Sequence, residues 1–546
     1  MRLISQIVIL SICRMSQAAQ IEDLGFLDYE YEHTELYRTT SILSEITFEI
    51  DHESNMHVFF LESRPSGYAL MYFIHKSGVS DFPQEILLQD TKFCDLRSRM
   101  ESPGAIHLVW SELNDETNEL GRIHYARFNL SMQTIDQHEI VFSEETGRLP
   151  DIEVEPDGDA HVSFEFREIS QSGWTYHYLG YAHQIDGVFQ PLETSGFSVR
   201  QYMGSFPDMC VHEEGTAFFI GAGAQHPVIL TYRNGQFESP VEITDFYNYY
   251  ISGSTLDRRR IICDQDGTVH VYMVVSLDEE SDFWTTRIVH LETEDGIHFS
   301  EPEFVTTAHD DFRFVSDPLI LADGTKMVFY FKPTTLHRYY SMDRGYGYGN
   351  PVTSVAGGFT SEKLSLPENV VRLNPSGVDF SVLYVISVFD EDEHRYYNCI
   401  WIAESKRKQY DQPYVEINTF PAMAFYYEHL TLDDTFRVSL DVYNPLSTEM
   451  HADLVLLSEI FIAGESFYHF YCPSGSTLFS EDYCGIPVII PGNLNVQNAA
   501  VYEIFLGVFP EDSFVGDWWW WCALLDPVSL QPISNVCNDF TAVGLY

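Results

Sequence analysis

Apolar and polar residues alternate in short bursts along most of the chain, as in "HVYMVV" from His270 and "HLVWSE" from His107. Gly, Asp, Asn and Pro separate the bursts. Period-two alternation between turn residues predicts half-buried β-strands. No amphipathic helical stretch stands out between them. The bursts are also ordered. "DQDGTVHVYM" from Asp264 has counterparts in "HESNMHVFFL" from His52, "ESPGAIHLVW" from Glu101 and "EPDGDAHVSF" from Glu155. Three more are "HEEGTAFFIG" from His212, "LADGTKMVFY" from Leu321 and "LNPSGVDFSV" from Leu373.

The shared glycines are at 104, 158, 215, 267, 324 and 377, with Ser54 in that place in the first copy. A period of this length marks a repeat architecture. Each copy has an apolar stretch before the turn, an alternating strand after it, and two further stretches. Four strands per copy is one propeller blade. Seven copies predict an all-β fold: a seven-bladed β-propeller over 20–408. The last copy ends after its third strand, so the segment around Glu35 to Thr39 is expected to complete it. "ESKRKQYDQP" marks the boundary, and 412–546 reads as a β-sandwich.

Composition narrows the function. Thirty Lys+Arg stand against 82 Asp+Glu, a net charge of −52. Such a surface repels phosphate backbones and anionic membranes, which excludes a nucleic-acid partner. The first 19 residues, "MRLISQIVILSICRMSQAA", have the charged start, short apolar run and small residues of a signal peptide. No later segment is a transmembrane helix candidate. The expected location is therefore secreted or cell envelope, in the periplasm or at the cell surface. In that compartment the late cysteines Cys472, Cys484, Cys522 and Cys537 suggest disulfides, with 472–484 and 522–537 the first pairing by proximity.

Candidate chemistry is sparse. His57, His107, His161 and His270 share one place in four copies. Residues at one place in different blades stand around a ring and do not converge on one ion, so these histidines read as scaffold. Glu155, Asp157 and Asp159 offer oxygens for Ca²⁺ but fall short of a full loop. No cofactor is required. Trp518 to Trp521 alternate in a strand, so one pair is expected in the sandwich core.

"TEDGIHFSEP" from Thr293 looks like a shortened Asp-box, and "LYRTTSI" from Leu36 resembles the motif that opens sialidases. With the recurring D-G-x-x-H-V rhythm, residues 34 to 404 resemble secreted bacterial propellers of the sialidase-like superfamily. That resemblance implies the fold, and it implies Arg38 as the matching sugar-carboxylate arginine. Thr39 and Thr40 depart from the motif, and the other catalytic residues have no counterpart.

The expected function is non-catalytic recognition of an extracellular glycan or protein through one propeller face. Candidate ligand-binding residues lie in two expected loops rich in Tyr and Gly: Tyr247, Tyr249 and Tyr250, and Tyr339, Tyr340, Arg344, Tyr346 and Tyr348. The rival is a carbohydrate-active enzyme, a sialidase-like hydrolase or a lyase. Arginines or a carboxylate pair converging at the propeller centre would favour it.

Overall fold

A computed structural model describes residues 29–543 apart from connecting segments, the longest being 249–258, 356–370, 421–434 and 506–515. Among the described residues all regular elements are strands, and no helix is long and apolar enough to cross a membrane. The fold is all-β and propeller-like.

Each repeat copy is an antiparallel meander. The first unit begins at strand Ile42–Ile50 and continues through Met56–Arg64 and Gly67–Lys76 to Gln84–Gln89. Its turn residue Ser54 has a φ of 64° and donates its N–H to Asp51 O. Gly158, Gly215, Gly267, Gly324 and Gly377 make the same turn in other copies, each with positive φ and each donating to the carbonyl three residues back. Only this left-handed conformation reverses the chain so tightly, which is why glycine recurs there.

The second and third units share one strand, Thr134–Val154. Its first part pairs with Gly121–Asn129 and its end with Ala160–Ile169, so the two units form one continuous sheet. In the last unit the N-terminal strand Tyr29–Thr39 pairs with Arg395–Arg407, in register from Tyr29↔Arg407 to Thr39↔Asn398. The fourth strand of that sheet therefore comes from the start of the chain, as its sequence suggests.

Apolar clusters hold the units side by side. One joins Phe59 and Tyr72 of the first unit to Leu108 and Trp110 of the second. Others join the second to the third through Tyr125 and Phe164, and the third to the fourth through Tyr181 and Phe219. The series continues through Ile220 with Val271, Val274 with Val328, and Met327 with Phe380. It closes where Leu383 and Ile402 meet Phe48 and Phe60. Within the third unit, Gly180 makes room for the Phe164 ring opposite it on the adjoining strand, because a Cβ there would stand 2.6 Å from that ring.

Residues 414–543 form two antiparallel sheets that touch each other. One holds Tyr414–Phe420, Thr435–Asn444 and Leu494–Phe505; the other is centred on Met450–Ile462 and Gly516–Leu525. Trp520 in the latter strand is fully buried, and Cys522 faces Cys537 in register on the adjoining strand. Cys472 and Cys484 lie outside the described residues.

Candidate functional site

The first strands of neighbouring units lie against one another from the first unit to the fifth, and that of the last unit lies against that of the first. Charged side chains link them. Glu49 accepts hydrogen bonds from Arg372 at 3.0 and 3.1 Å and from the Ser98 hydroxyl at 2.7 Å. Arg99 donates to Glu153 at 2.8 and 2.9 Å, and Arg260 stands 3.7 Å from Asp208. Aspartates add a second kind of link. Asp95, Asp151 and Asp208 each accept the backbone N–H of a strand in the next unit: Leu149, Met209 and Ile261 respectively.

Arginines thus recur along these first strands. They are held by carboxylates of adjacent units, so much of this charge staples sheet to sheet. Two carboxyls stand out. Burial raises the pKa of both Glu153 and Asp208, against the pull of Arg99 and Arg260 respectively. Asp151 adds repulsion to each. The Glu153 side chain nonetheless keeps 23% of its surface exposed.

A cavity of about 370 Å³ opens at one end of the first and second units. Its lining includes Asp90, Thr91, Glu112, Arg122 and His124. The connection between the two units brings Asp90 and Thr91, and the second-to-third-strand hairpin brings Glu112 and Arg122. His124 bonds Glu112 at 2.8 Å and stacks on buried Trp110 at 5.4 Å. Burial lowers the His124 pKa although Glu112 raises it. The His124 Nδ1 meets His138 Nε2 at 3.3 Å, so both ring nitrogens are engaged and the ring holds Glu112 in place at the cavity wall.

The residues singled out in the sequence separate in space. Tyr247 is in a short strand paired with Ser276, at the end of the meander where second strands finish. Tyr339 and Tyr340 are in a strand, not a loop, opposite Tyr330 and Phe329. That strand ends at Asp343 opposite Lys326, beside the glycine turn. Tyr339 and Tyr340 thus lie in mid-strand, whereas Tyr247 lies at a strand end. Tyr249, Tyr250, Arg344, Tyr346 and Tyr348 lie outside the described residues.

Arg38 is a correction to the sialidase analogy. It sits on Tyr29–Thr39, at the sheet edge farthest from the centre. Its guanidinium grips Glu35 in a two-pronged pair at 2.7 and 2.8 Å. The oxygens considered for Ca²⁺ also have local work: Glu155 meets His161 at 3.2 Å, and Asp157 accepts the Asp159 N–H. Asp159 accepts the N–H groups of Asp186 and Gly187.

Three of the four recurring histidines have local partners, a turn carboxylate and a tyrosine on the neighbouring strand. His57 Nε2 meets Asp51 and its Nδ1 meets the Tyr72 hydroxyl, at 3.2 and 2.9 Å. His107 does the same with Glu101 and Tyr125, and His161 with Glu155 and Tyr181. The Asp-box-like turn is likewise self-contained, with Asp295 accepting the N–H groups of Ile297 and His298.

No family model matches the chain, and neither does any curated protein. Distant structural matches are to β-propeller proteins. The sialidase of Trypanosoma rangeli in complex with the inhibitor DANA is 6% identical over 86% of this chain and 90% of its own, with a TM-score of 0.37. The α-L-arabinofuranosidase of Podospora anserina in complex with cellotriose is 10% identical, over 69% of this chain and 98% of its own, with a TM-score of 0.29. A polysaccharide lyase, Uly1, is 12% identical over 46% of this chain, which spans 57% of the lyase's length, with a TM-score of 0.29. These likenesses concern the fold alone.

Proposed function

We propose that this chain is an exported recognition protein, a seven-bladed β-propeller followed by a β-sandwich, that binds a glycan at one face of the ring. The cavity walled by Glu112, Arg122 and His124 carries this reading. Its volume of about 370 Å³ suits one sugar residue. Its donors and acceptors suit hydroxyl groups, and its two sides come from different units, so a ligand there is gripped by a rigid frame.

A second reading has one observation behind it. Glu153 and Asp208 are carboxyls with raised pKa beside arginines, a setting in which an acid can hold a proton for transfer. This favours a carbohydrate-active enzyme working at the centre.

A glycan array with the full chain, run beside hydrolysis and elimination assays on the same glycans, separates the two. Binding that Arg122→Ala weakens by roughly tenfold or more, with no turnover, is the expected result. Turnover that Glu153→Gln or Asp208→Asn abolishes, while Arg122→Ala leaves it intact, sinks the recognition reading.

A further inference from the structure

The fifth copy breaks the histidine pattern. In three copies a tyrosine hydroxyl meets the histidine Nδ1. In the fifth, His290 occupies the tyrosine place: it pairs with Tyr272, as Tyr72 pairs with Phe59 and Tyr125 with Val109. His270 Nδ1 and His290 Nε2 consequently face each other at 3.1 Å. Glu292 Oε1 completes a triangle, 3.4 Å from His270 Nδ1 and 3.9 Å from His290 Nε2.

The outer nitrogens decide what the inner ones can do. His270 Nε2 meets Asp264 Oδ2 at 3.2 Å, and His290 Nδ1 meets Glu303 Oε2 at 3.1 Å. A carboxylate only accepts, so an imidazole carrying a single N–H donates it outward here. Two lone pairs then point at each other across the gap, with a carboxylate oxygen beside them. Tyrosine, which brings an O–H, avoids this in the other copies. The fifth arrangement calls for a positive charge between the donors.

We propose that His270, His290 and Glu292 bind a divalent transition-metal ion of the zinc class, with Asp264 and Glu303 orienting the two imidazoles. Ligand atoms about 2.0–2.1 Å from a tetrahedral zinc stand about 3.3–3.4 Å apart; two of the separations, 3.1 and 3.4 Å, are near this, and the third, 3.9 Å, needs a small inward movement of the exposed Glu292 carboxylate. Imidazole with carboxylate suits zinc, whereas calcium takes oxygen alone. Outer carboxylates on both histidines are the usual support of such ligands. Asp264 is itself locked, its other oxygen accepting the N–H groups of Asp266 and Thr268. His270 and His290 are buried while Glu292 is 35% exposed, so entry is from the Glu292 side. Lys326 Nζ meets Glu292 Oε1 at 2.6 Å. It guards that entry, and its flexible stem lets it turn aside. Three protein ligands leave a fourth position open.

The test is Co²⁺ added to the chelator-treated full chain, read by visible absorption, followed by displacement with Zn²⁺ and elemental analysis. One Co²⁺ per chain with a tetrahedral spectrum, lost on adding Zn²⁺, is expected. His290→Tyr restores the pairing of the other copies, so it should fold and bind no metal. Glu292→Gln tests the third ligand without disturbing the buried pair, and Asp264→Asn should weaken affinity about 10–100-fold. Absence of Co²⁺ uptake by the full chain, or equal uptake by His290→Tyr, overturns the site.

Discussion

A buried imidazole has two nitrogens to satisfy, and this chain answers with a carboxylate on one side and a hydroxyl on the other. In the second unit the answer is Glu101 and Tyr125, at 3.1 and 2.9 Å from His107. The Tyr125 hydroxyl is held in its neutral form, since burial pushes its pKa up. Tyr125→Phe keeps the ring packing and deletes the donor to a buried acceptor. We expect a loss of about 1–3 kcal/mol in urea unfolding. An unchanged midpoint would mean that the bond contributes nothing net. At this scale the sequence was partly readable. A histidine placed six residues after a turn carboxylate signals the first half of the pair. The second half comes from the neighbouring strand, at spacings of 15, 18 and 20 residues, so it needs register. His290 was visible in "TRIVHLETEDG" from the start. Its meaning appears only when it is set opposite Tyr272, in the place that tyrosine holds elsewhere.

Among the elements, the strand Tyr29–Thr39 has the largest consequence. Leu36 is buried in the cluster that joins the last unit to the first. Leu36→Ala should cost about 2–5 kcal/mol by cavity formation. It should also speed proteolysis within Arg395–Arg407, whose edge this strand covers. Cleavage no faster than in the parent chain would show that closure does not depend on this contact. The turn glycines made the repeats legible because one conformation admits few residues. The strand shared by the second and third units was not legible. Its middle, "FSEETGR" from Phe142, carries Gly147, which reads as a break but here keeps a strand continuous. Ile123 and Phe142 lie 2.9–3.0 Å from where a Cβ on Gly147 would be, so close packing explains that glycine. Tyr339 and Tyr340 were misplaced for the opposite reason. Their polar, glycine-rich neighbours resemble a loop, while pairing with Tyr330 and Phe329 extends the strand.

For the whole molecule, acid is the natural stress. Burial holds His57, His107, His124, His138 and His290 below the ordinary value of 6.5. An unfolded chain takes up protons near pH 6.5 while the folded one still refuses them. Stability is therefore full above that value and falls as pH drops through it, levelling off below the folded values. Carboxylates with lowered pKa, such as Asp51, Glu101 and Glu112, act in the same direction at lower pH. Urea midpoints should be lower at about pH 5.5 than at about pH 7.5. A higher midpoint at the acid value would mean that relief of the large negative net charge outweighs the buried imidazoles.

Where the ring closes also decides how it bears force. The backbone itself crosses from the last unit to the first between Thr39 and Ile42. The break in covalent continuity falls inside a sheet, between Tyr29–Thr39 and Arg395–Arg407. Pulling two neighbouring units apart therefore cannot open the circle by peeling an apolar face alone. The load at the weakest point runs along a ladder of antiparallel hydrogen bonds, which must slip together in shear.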